Sequence, residues 1–154
     1  HMPPGYTEAF AARLDVASKL NVREASSGLV LERGTAVIAR AGVHLKVRAG
    51  AGGITTWLEA KEPSDEGLHC PAVDALFESA VEALGSGVLG VVLTGMGSDG
   101  LIGSRAIAQA GGRLLVEAES SSVVYGMPRA VAEANLGAEE ATLELMARAI
   151  LDRV

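Results

Sequence analysis

Hydrophobic and polar positions follow different patterns in the two parts of the chain. In the first part, apolar residues at helical spacing predict a helix over about residues 4–20, with prolines at its start. Residues 22–60 contain short β-prone pieces between glycine-rich turns, and this pattern predicts a β-hairpin insert. The predicted strand pieces cover residues 30–31, 35–39, 43–47 and 54–58.

The second part has the alternation of strands and helices that is typical of parallel sheets. A helix is predicted from Pro71 to Gly85, and the continuous apolar run over residues 88–93 predicts a strand buried on both faces. A glycine-rich loop, a helix after Gly100 and a strand over residues 113–117 complete a βαβ unit. The sequence therefore predicts an α/β layering.

Two more helices are predicted near the carboxyl end of the chain. They cover about residues 128–135 and 139–152. The second has an apolar stripe that is expected to face inward, formed by Leu143, Met146, Ala147 and Ile150.

Composition limits the class of protein. The 154 residues are enough for one domain, and with 49% hydrophobic and 21% charged residues a single folded core is expected. The net charge of −6 argues against nucleic acid or an anionic membrane as the main partner. No apolar run approaches the roughly 20 residues of a membrane span, and no signal peptide is recognised, so we expect a soluble protein. A single cysteine, Cys70, favours a reducing compartment and a cytoplasmic location.

The histidines and the cysteine do not have the spacing of a metal site. His44, His69 and Cys70 match no zinc pattern, so no metal is predicted. His44 is expected on a surface strand and Cys70 at the start of a helix. Trp57 is expected in core or interface packing.

The loop over residues 94–100, with the sequence TGMGSDG, lies where a buried strand passes into a helix, a common position for functional groups. Three interpretations of Asp99 stay open. It can cap the helix that follows it, which stabilises a helix by about 0.5 to 2 kcal/mol. Gly95, Gly97 and Gly100 also fit a dinucleotide fingerprint, although Asp99 would repel the incoming pyrophosphate. Third, a carboxylate here can orient a histidine for acyl transfer.

Four segments, which together span nearly the whole chain, carry a resemblance to a known family. They are HMPPGYT at residues 1–7, PAVDALF at 71–77, LTGMGSDG at 93–100 and VVYGMP at 123–128. In this order they resemble the chemotaxis protein-glutamate methylesterases, the CheB catalytic domains.

The resemblance implies a fold and an activity. The expected fold is α/β, a three-layer αβα sandwich with a mainly parallel sheet plus the β-hairpin insert. The expected activity is hydrolysis of glutamate methyl esters on chemoreceptors with release of methanol, together with deamidation of receptor glutamines, by a serine hydrolase that uses no cofactor. The implied partners are the cytoplasmic helices of methylated chemoreceptors and a receiver domain absent from this chain.

The resemblance also implies roles for individual residues. His1 would be the general base, and Asp99 would hold it. Met96 would donate its backbone amide to the oxyanion, with Gly95 and Gly97 beside it in the same loop. The segment over residues 125–128 would either pack beside this site or form a turn into a helix that begins near Pro128.

The family places its nucleophile before the histidine, in a Gly-x-Ser-Thr-Gly-Gly turn, and the chain has no such segment. Ser98 is the nearest serine to Asp99, and we expect it to serve the start of the helix instead. Residues 1–154 are therefore interpreted as an N-terminally truncated catalytic domain that is inactive by itself. The pair His1-Met2 fits both a cloning remnant and the family's own His-Met-Pro. The alternative function is a catalytically silent relative that binds a receptor or signalling protein.

Overall fold

The structure, a computed structural model, describes residues 2–3, 5–61 and 69–154. It is an α/β fold with five helices and seven strands in these ranges. In chain order they are α1 (Thr7–Ala17), β1 (Asn21–Glu24), β2 (Thr35–Ile38), β3 (Val43–Gly50), β4 (Gly53–Ala60), α2 (Val73–Leu84), β5 (Leu89–Val92), α3 (Leu101–Gln109), β6 (Arg113–Glu117), α4 (Met127–Ala132), β7 (Glu139–Ala141) and α5 (Leu143–Leu151).

The first half contains a parallel pair of strands and an antiparallel hairpin. β3 and β4 pair antiparallel from Val43 opposite Ala60 to the turn at Gly50 and Gly53, which confirms the predicted hairpin. β1 and β2 instead pair in parallel, so the prediction that the hairpin insert extends over all of residues 22–60 is wrong. The predicted piece over residues 30–31 forms only one isolated bridge, between Val30 and Thr55.

The first helix is shorter than predicted. α1 begins at Thr7, because the amide of Tyr6 donates to the carbonyl oxygen of Pro3 in a turn ahead of the helix. It ends at Ala17, since Ser18 is fully extended. The helix predicted from periodicity over residues 4–20 therefore extended beyond α1 at both ends.

The second half is built on a parallel sheet in the order β5-β6-β7. β5, α3 and β6 form the predicted βαβ unit, with Leu89 opposite Arg113 in parallel register. The helix predicted over residues 139–152 is wrong at its start, because β7 pairs along β6 and α5 begins only at Leu143. In the predicted stripe, Met146 is buried while Leu143 is more than half exposed.

The core lies between this sheet and helices α2, α3 and α4. Its centre is formed by the buried side chains Val92, Ile107, Leu114, Val116, Met127 and Val131. α2 and α3 approach each other closely at Gly103, where an added Cβ would lie 3.2 Å from the carbonyl oxygen of Asp74. This contact brings the amino-terminal ends of both helices to the carboxyl end of β5.

None of the helices in the described ranges is long and apolar enough to cross a bilayer.

Candidate active site

The loop after β5 places the carboxylate of Asp99 against a neighbouring helix. Its Oδ2 accepts a hydrogen bond from the amide of Val73 at 2.8 Å, and its Oδ1 accepts one from the amide of Asp74 at 3.0 Å. Both amides belong to the first turn of α2. Asp99 therefore caps α2, so the interpretation that it caps the helix following it is wrong.

The helix that follows, α3, is capped by a different carboxylate. The amide of Gly103 donates to Oδ1 of Asp74 at 2.8 Å. Burial raises the pKa of Asp74, and the nearby charge of Asp99 raises it further, while hydrogen bonds from the amides of Gly103, Gly100 and Ile102 oppose this shift. A pyrophosphate at this helix end would meet a carboxylate, which argues against the dinucleotide interpretation.

The loop over residues 94–100, called the candidate oxyanion loop below, forms close main-chain contacts with the segment that precedes α4. The amide of Gly95 donates to the carbonyl of Val124 at 3.0 Å, and the carbonyl of Gly95 accepts from the amides of Gly126 and Met127 at 3.1 and 2.8 Å. A Cβ on Gly126 would lie 2.7 Å from the Gly95 carbonyl oxygen, so only glycine fits. Residues 125–128 form a turn into α4, which begins at Met127, one residue before the predicted Pro128, and the same segment packs beside the loop; that this loop is the active site stays a prediction.

Met96 lies at the exposed tip of this loop. The residue is 79% exposed. Within the described residues, no atom accepts a hydrogen bond from its backbone amide. The loop is thus anchored on Gly95, one residue before the amide that the resemblance assigns to the oxyanion, a role that stays a prediction.

A cavity of about 370 Å³ opens beside the loop, within the range of small-ligand sites. Its wall is largely apolar and includes Ala39 after β2, Val73 at the start of α2, and Val91, Leu93, Thr94 and Gly95 on and after β5. In the described part of the chain, β5 pairs with β6 on one side only and β2 with β1 only. The cavity therefore lies beside the edge of β5 that faces away from β6, next to the amino-terminal end of α2 that Asp99 caps.

The histidines differ in position. His1 lies outside the described residues, so its predicted contact with Asp99 stays a prediction. His44 is buried on β3, where its Nδ1 accepts a hydrogen bond from the amide of Ala72 at 3.2 Å, so its predicted place on a surface strand is wrong. It supports the segment that enters α2. His69 is exposed, and no group of three or more His, Cys, Asp or Glu side chains among the described residues could hold a metal ion.

Trp57 and Cys70 have structural surroundings. Trp57 is 40% exposed on β4, with the guanidinium carbon of Arg48 4.4 Å from the ring centroid, so core packing is wrong and interface packing stays a prediction. Cys70 is half-buried just before α2, as predicted.

The serines near the site take part in turns. The carbonyl of Ser98 accepts a hydrogen bond from the amide of Leu101 at 3.1 Å, which confirms its expected place at the start of α3. Ser121 donates its hydroxyl to Glu117 at 3.0 Å, and Ser122 donates to the carbonyl of Ala118 at 3.1 Å.

Sequence reasoning missed the structural roles of Asp74 and Glu117. Glu117 is the last residue of β6, is 1% exposed and binds the amide of Thr94 at the start of the candidate loop. Its position at the carboxyl end of the strand next to β5 was a usable signal. Asp74 gave none, because its partner Gly103 lies 29 positions away in the sequence.

Comparison with known proteins decides the family. The family model described as CheB methylesterase matches residues 1–150. The chain belongs to the CheB methylesterase family. This confirms the family inferred from the four sequence segments.

Two relatives in the CheB methylesterase family show how similar the sequences are. The chain is 53% identical over 146 residues to protein-glutamate methylesterase/protein-glutamine glutaminase 5 of Myxococcus xanthus, covering 95% of this chain and 41% of that protein. It is 44% identical over 154 residues to protein-glutamate methylesterase/protein-glutamine glutaminase 1 of Oleidesulfovibrio alaskensis, covering 100% of this chain and 41% of that protein. The chain thus spans about two-fifths of the length of these relatives.

A solved structure from the CheB methylesterase family has the same fold. The crystal structure of the Thermotoga maritima CheB methylesterase catalytic domain superposes with a TM-score of 0.93 at 33% sequence identity. The match covers 100% of this chain and 80% of that one. The α/β prediction with parallel strands and a hairpin is therefore confirmed at the level of the whole fold.

Proposed function

We propose that this chain forms most of a catalytic domain that hydrolyses glutamate methyl esters on the cytoplasmic helices of chemoreceptors and deamidates receptor glutamines. Both activities stand in the names of its relatives. The observation that carries the proposal is the anchored carboxylate of Asp99 in a loop that also holds the Met96 amide, beside an apolar cavity. These are the positioning and charge-stabilising parts that acyl transfer needs.

In the proposed reaction, a serine hydroxyl from the family's Gly-x-Ser-Thr-Gly-Gly turn attacks the ester carbonyl. The proton of the hydroxyl moves to His1, and the new oxyanion receives a hydrogen bond from the Met96 amide. Collapse of the tetrahedral intermediate breaks the C–O bond to the methoxy group as His1 gives its proton to that oxygen, so methanol leaves and an acyl-serine remains. Water, deprotonated by His1, then attacks the acyl carbonyl; the bond to the serine oxygen breaks, His1 returns the proton to that oxygen, and the glutamate is released.

Asp99 acts in this scheme through His1. It accepts the Nδ1–H of the imidazole, which fixes the tautomer whose Nε2 takes the proton. A carboxylate accepts up to about four hydrogen bonds, so the amides of Val73 and Asp74 do not exhaust it. These two amides hold the carboxylate plane in place, which supports one orientation of the histidine.

The partners follow from the same proposal. The substrate is a methylated glutamate on a cytoplasmic receptor helix, and the protein therefore acts in the cytoplasm. A receiver domain outside this chain would regulate access to the site; about three-fifths of each relative lies beyond the matched region, which leaves room for one. Residues 1–154 serve as the catalytic part.

Methanol release from methylated receptor membranes tests the proposal, using the complete natural gene product that contains this chain. We expect Asp99→Asn to lower the rate by up to about 10⁴-fold with the fold retained, as for the aspartate of other triads. Asp152→Asn is the matched control, because Asp152 is an exposed carboxylate in the turn after α5 and should leave the rate unchanged. Methanol release that does not depend on Asp99 would overturn the proposal. A wild-type protein that binds receptor without releasing methanol would be the silent relative.

A further inference from the structure

We propose that Glu117 is a positioning residue of this active site, an inference that rests on the proposed function. Glu117 is the last residue of β6 and 1% exposed. Burying a carboxylate is costly unless hydrogen bonds satisfy it, so its partners show what it holds in place.

One oxygen of Glu117 holds the candidate oxyanion loop. Oε2 accepts a hydrogen bond from the amide of Thr94 at 2.9 Å. Thr94 is two residues before Met96, whose amide would bind the oxyanion. The Glu117 carboxylate therefore fixes the position at which this loop leaves β5.

The other oxygen of Glu117 binds the segment of residues 121–126, which forms hydrogen bonds with the loop. Oε1 accepts the hydroxyl of Ser121 at 3.0 Å, at the start of the chain that runs to Gly126. Further along this segment, the amide of Val124 donates to Oγ1 of Thr94 at 2.8 Å, and the carbonyl of Val124 accepts from the amide of Gly95. The buried carboxylate of Glu117 thus connects the two segments that fix Gly95: the loop that begins at Thr94 and the segment from Ser121 to Gly126.

Precise placement of an oxyanion donor matters for rate. The donor stabilises charge that exists only in the transition state, and a misplacement of about 1 Å can cost about 10²-fold. Loss of the Glu117 carboxylate leaves the Thr94 amide without its acceptor, and it leaves the Ser121 hydroxyl with only the carbonyl of Ala118, 3.3 Å away, so both segments can shift. The effect is expected on kcat, since the substrate's other contacts remain.

A purely structural role must be distinguished from this one. Ser121 Oγ also accepts the amide of Leu143 at 3.0 Å, so Glu117 helps to fix the start of α5 as well. A variant that weakens α5 without touching the loop supplies the comparison. Met146→Ala fits this need, because Met146 is a buried residue on α5 at 3% exposure and does not line the cavity.

The test measures methanol release, kcat and KM in the complete gene product for Glu117→Ala, Glu117→Gln and Met146→Ala, with melting temperatures. We expect Glu117→Ala to lower kcat by about 10²-fold with a smaller change in KM. Glu117→Gln should recover most of kcat, because its amide oxygen can accept from Thr94 while its NH₂ donates to the Ser121 oxygen. Met146→Ala should lower the melting temperature and keep the wild-type kcat.

Each outcome decides the inference. A wild-type kcat in Glu117→Ala, or an equal loss of kcat in Met146→Ala, overturns it. If Glu117→Ala does not fold, Ser121→Ala replaces it, since this change removes the hydrogen bonds of Ser121 to Glu117 and Leu143 but leaves the bond between Glu117 and the Thr94 amide. An unchanged kcat there contradicts the inference, and a loss of kcat with KM retained, larger than in Met146→Ala, supports it. If the wild type releases no methanol, or if Asp99→Asn releases it at the same rate, the proposed function itself is refuted. The two failures are therefore distinguishable.

Discussion

Asp74 and Asp99 cap each other's helices. Asp74, in the first turn of α2, accepts the amide of Gly103 in α3, and Asp99, in the loop before α3, accepts the amides of Val73 and Asp74 in α2. Two carboxylates are thereby held close together at the carboxyl end of β5. The position of the proposed catalytic aspartate therefore depends on the packing of both helices.

This arrangement predicts a pH dependence of stability. Because burial and the charge of Asp99 raise the pKa of Asp74 in the folded protein, the folded state binds a proton there more tightly than the unfolded state. The contribution of Asp74 to stability should then decrease as pH rises from about 3.9, the ordinary aspartate pKa, through the raised pKa of the folded state. Above that value it should be constant. Asp74→Asn removes this contribution.

Urea unfolding at a series of pH values measures it. The difference in free energy of unfolding between wild type and Asp74→Asn should become less favourable to the wild type with rising pH across this interval. Asp152→Asn removes an exposed carboxylate in the same way and is the matched control for the substitution itself. A difference for Asp74→Asn that is flat, or that has the opposite slope, contradicts the prediction.

Gly126 should be intolerant of any side chain. A Cβ at this position would lie 2.7 Å from the carbonyl oxygen of Gly95 and 3.0 Å from the amide nitrogen of Gly97, so the loop must move away. We expect Gly126→Ala to lower methanol release at least about 10-fold and to cost about 1–3 kcal/mol of stability. The control is Gly52→Ala in the β3–β4 turn, where a Cβ meets no heavy atom within 4 Å. Full activity in Gly126→Ala would show that the loop contact does not matter.

The fold was predictable from the sequence where local signals determine it. The helix from Pro71 to Gly85 and the apolar run of β5 follow from periodicity and from terminal residues. β7 could not be found in this way, because it has only three residues, including Glu139 and Glu140, and exists through pairing with β6. Similarly, nothing near Val22 shows that β1 pairs in parallel with β2 instead of forming a hairpin.

In the candidate site, too, local features could be predicted from the sequence and contacts between distant residues could not. The loop sequence is enough to mark a candidate site, because a glycine-rich turn after a buried strand is a local pattern, whereas the roles of Asp99 and Met96 are implied only by the resemblance to the family. The partners of carboxylates are not local: Asp99 binds an amide 26 positions away, and Glu117 binds one 23 positions away. Only the packing of the βαβ unit on α2 reveals which helix end or loop each carboxylate fixes.

The proposed reaction depends on the contact in which Asp99 holds the imidazole of His1. The direct measurement is the NMR resonance of the His1 Nδ1 proton in the complete gene product labelled with ¹⁵N-histidine, assigned by its loss in His1→Gln. We predict a hydrogen-bonded Nδ1–H signal in the wild type that shifts or disappears in Asp99→Asn, while backbone amide signals distant from the site stay in place. A His1 signal that is identical in wild type and Asp99→Asn would contradict the claim.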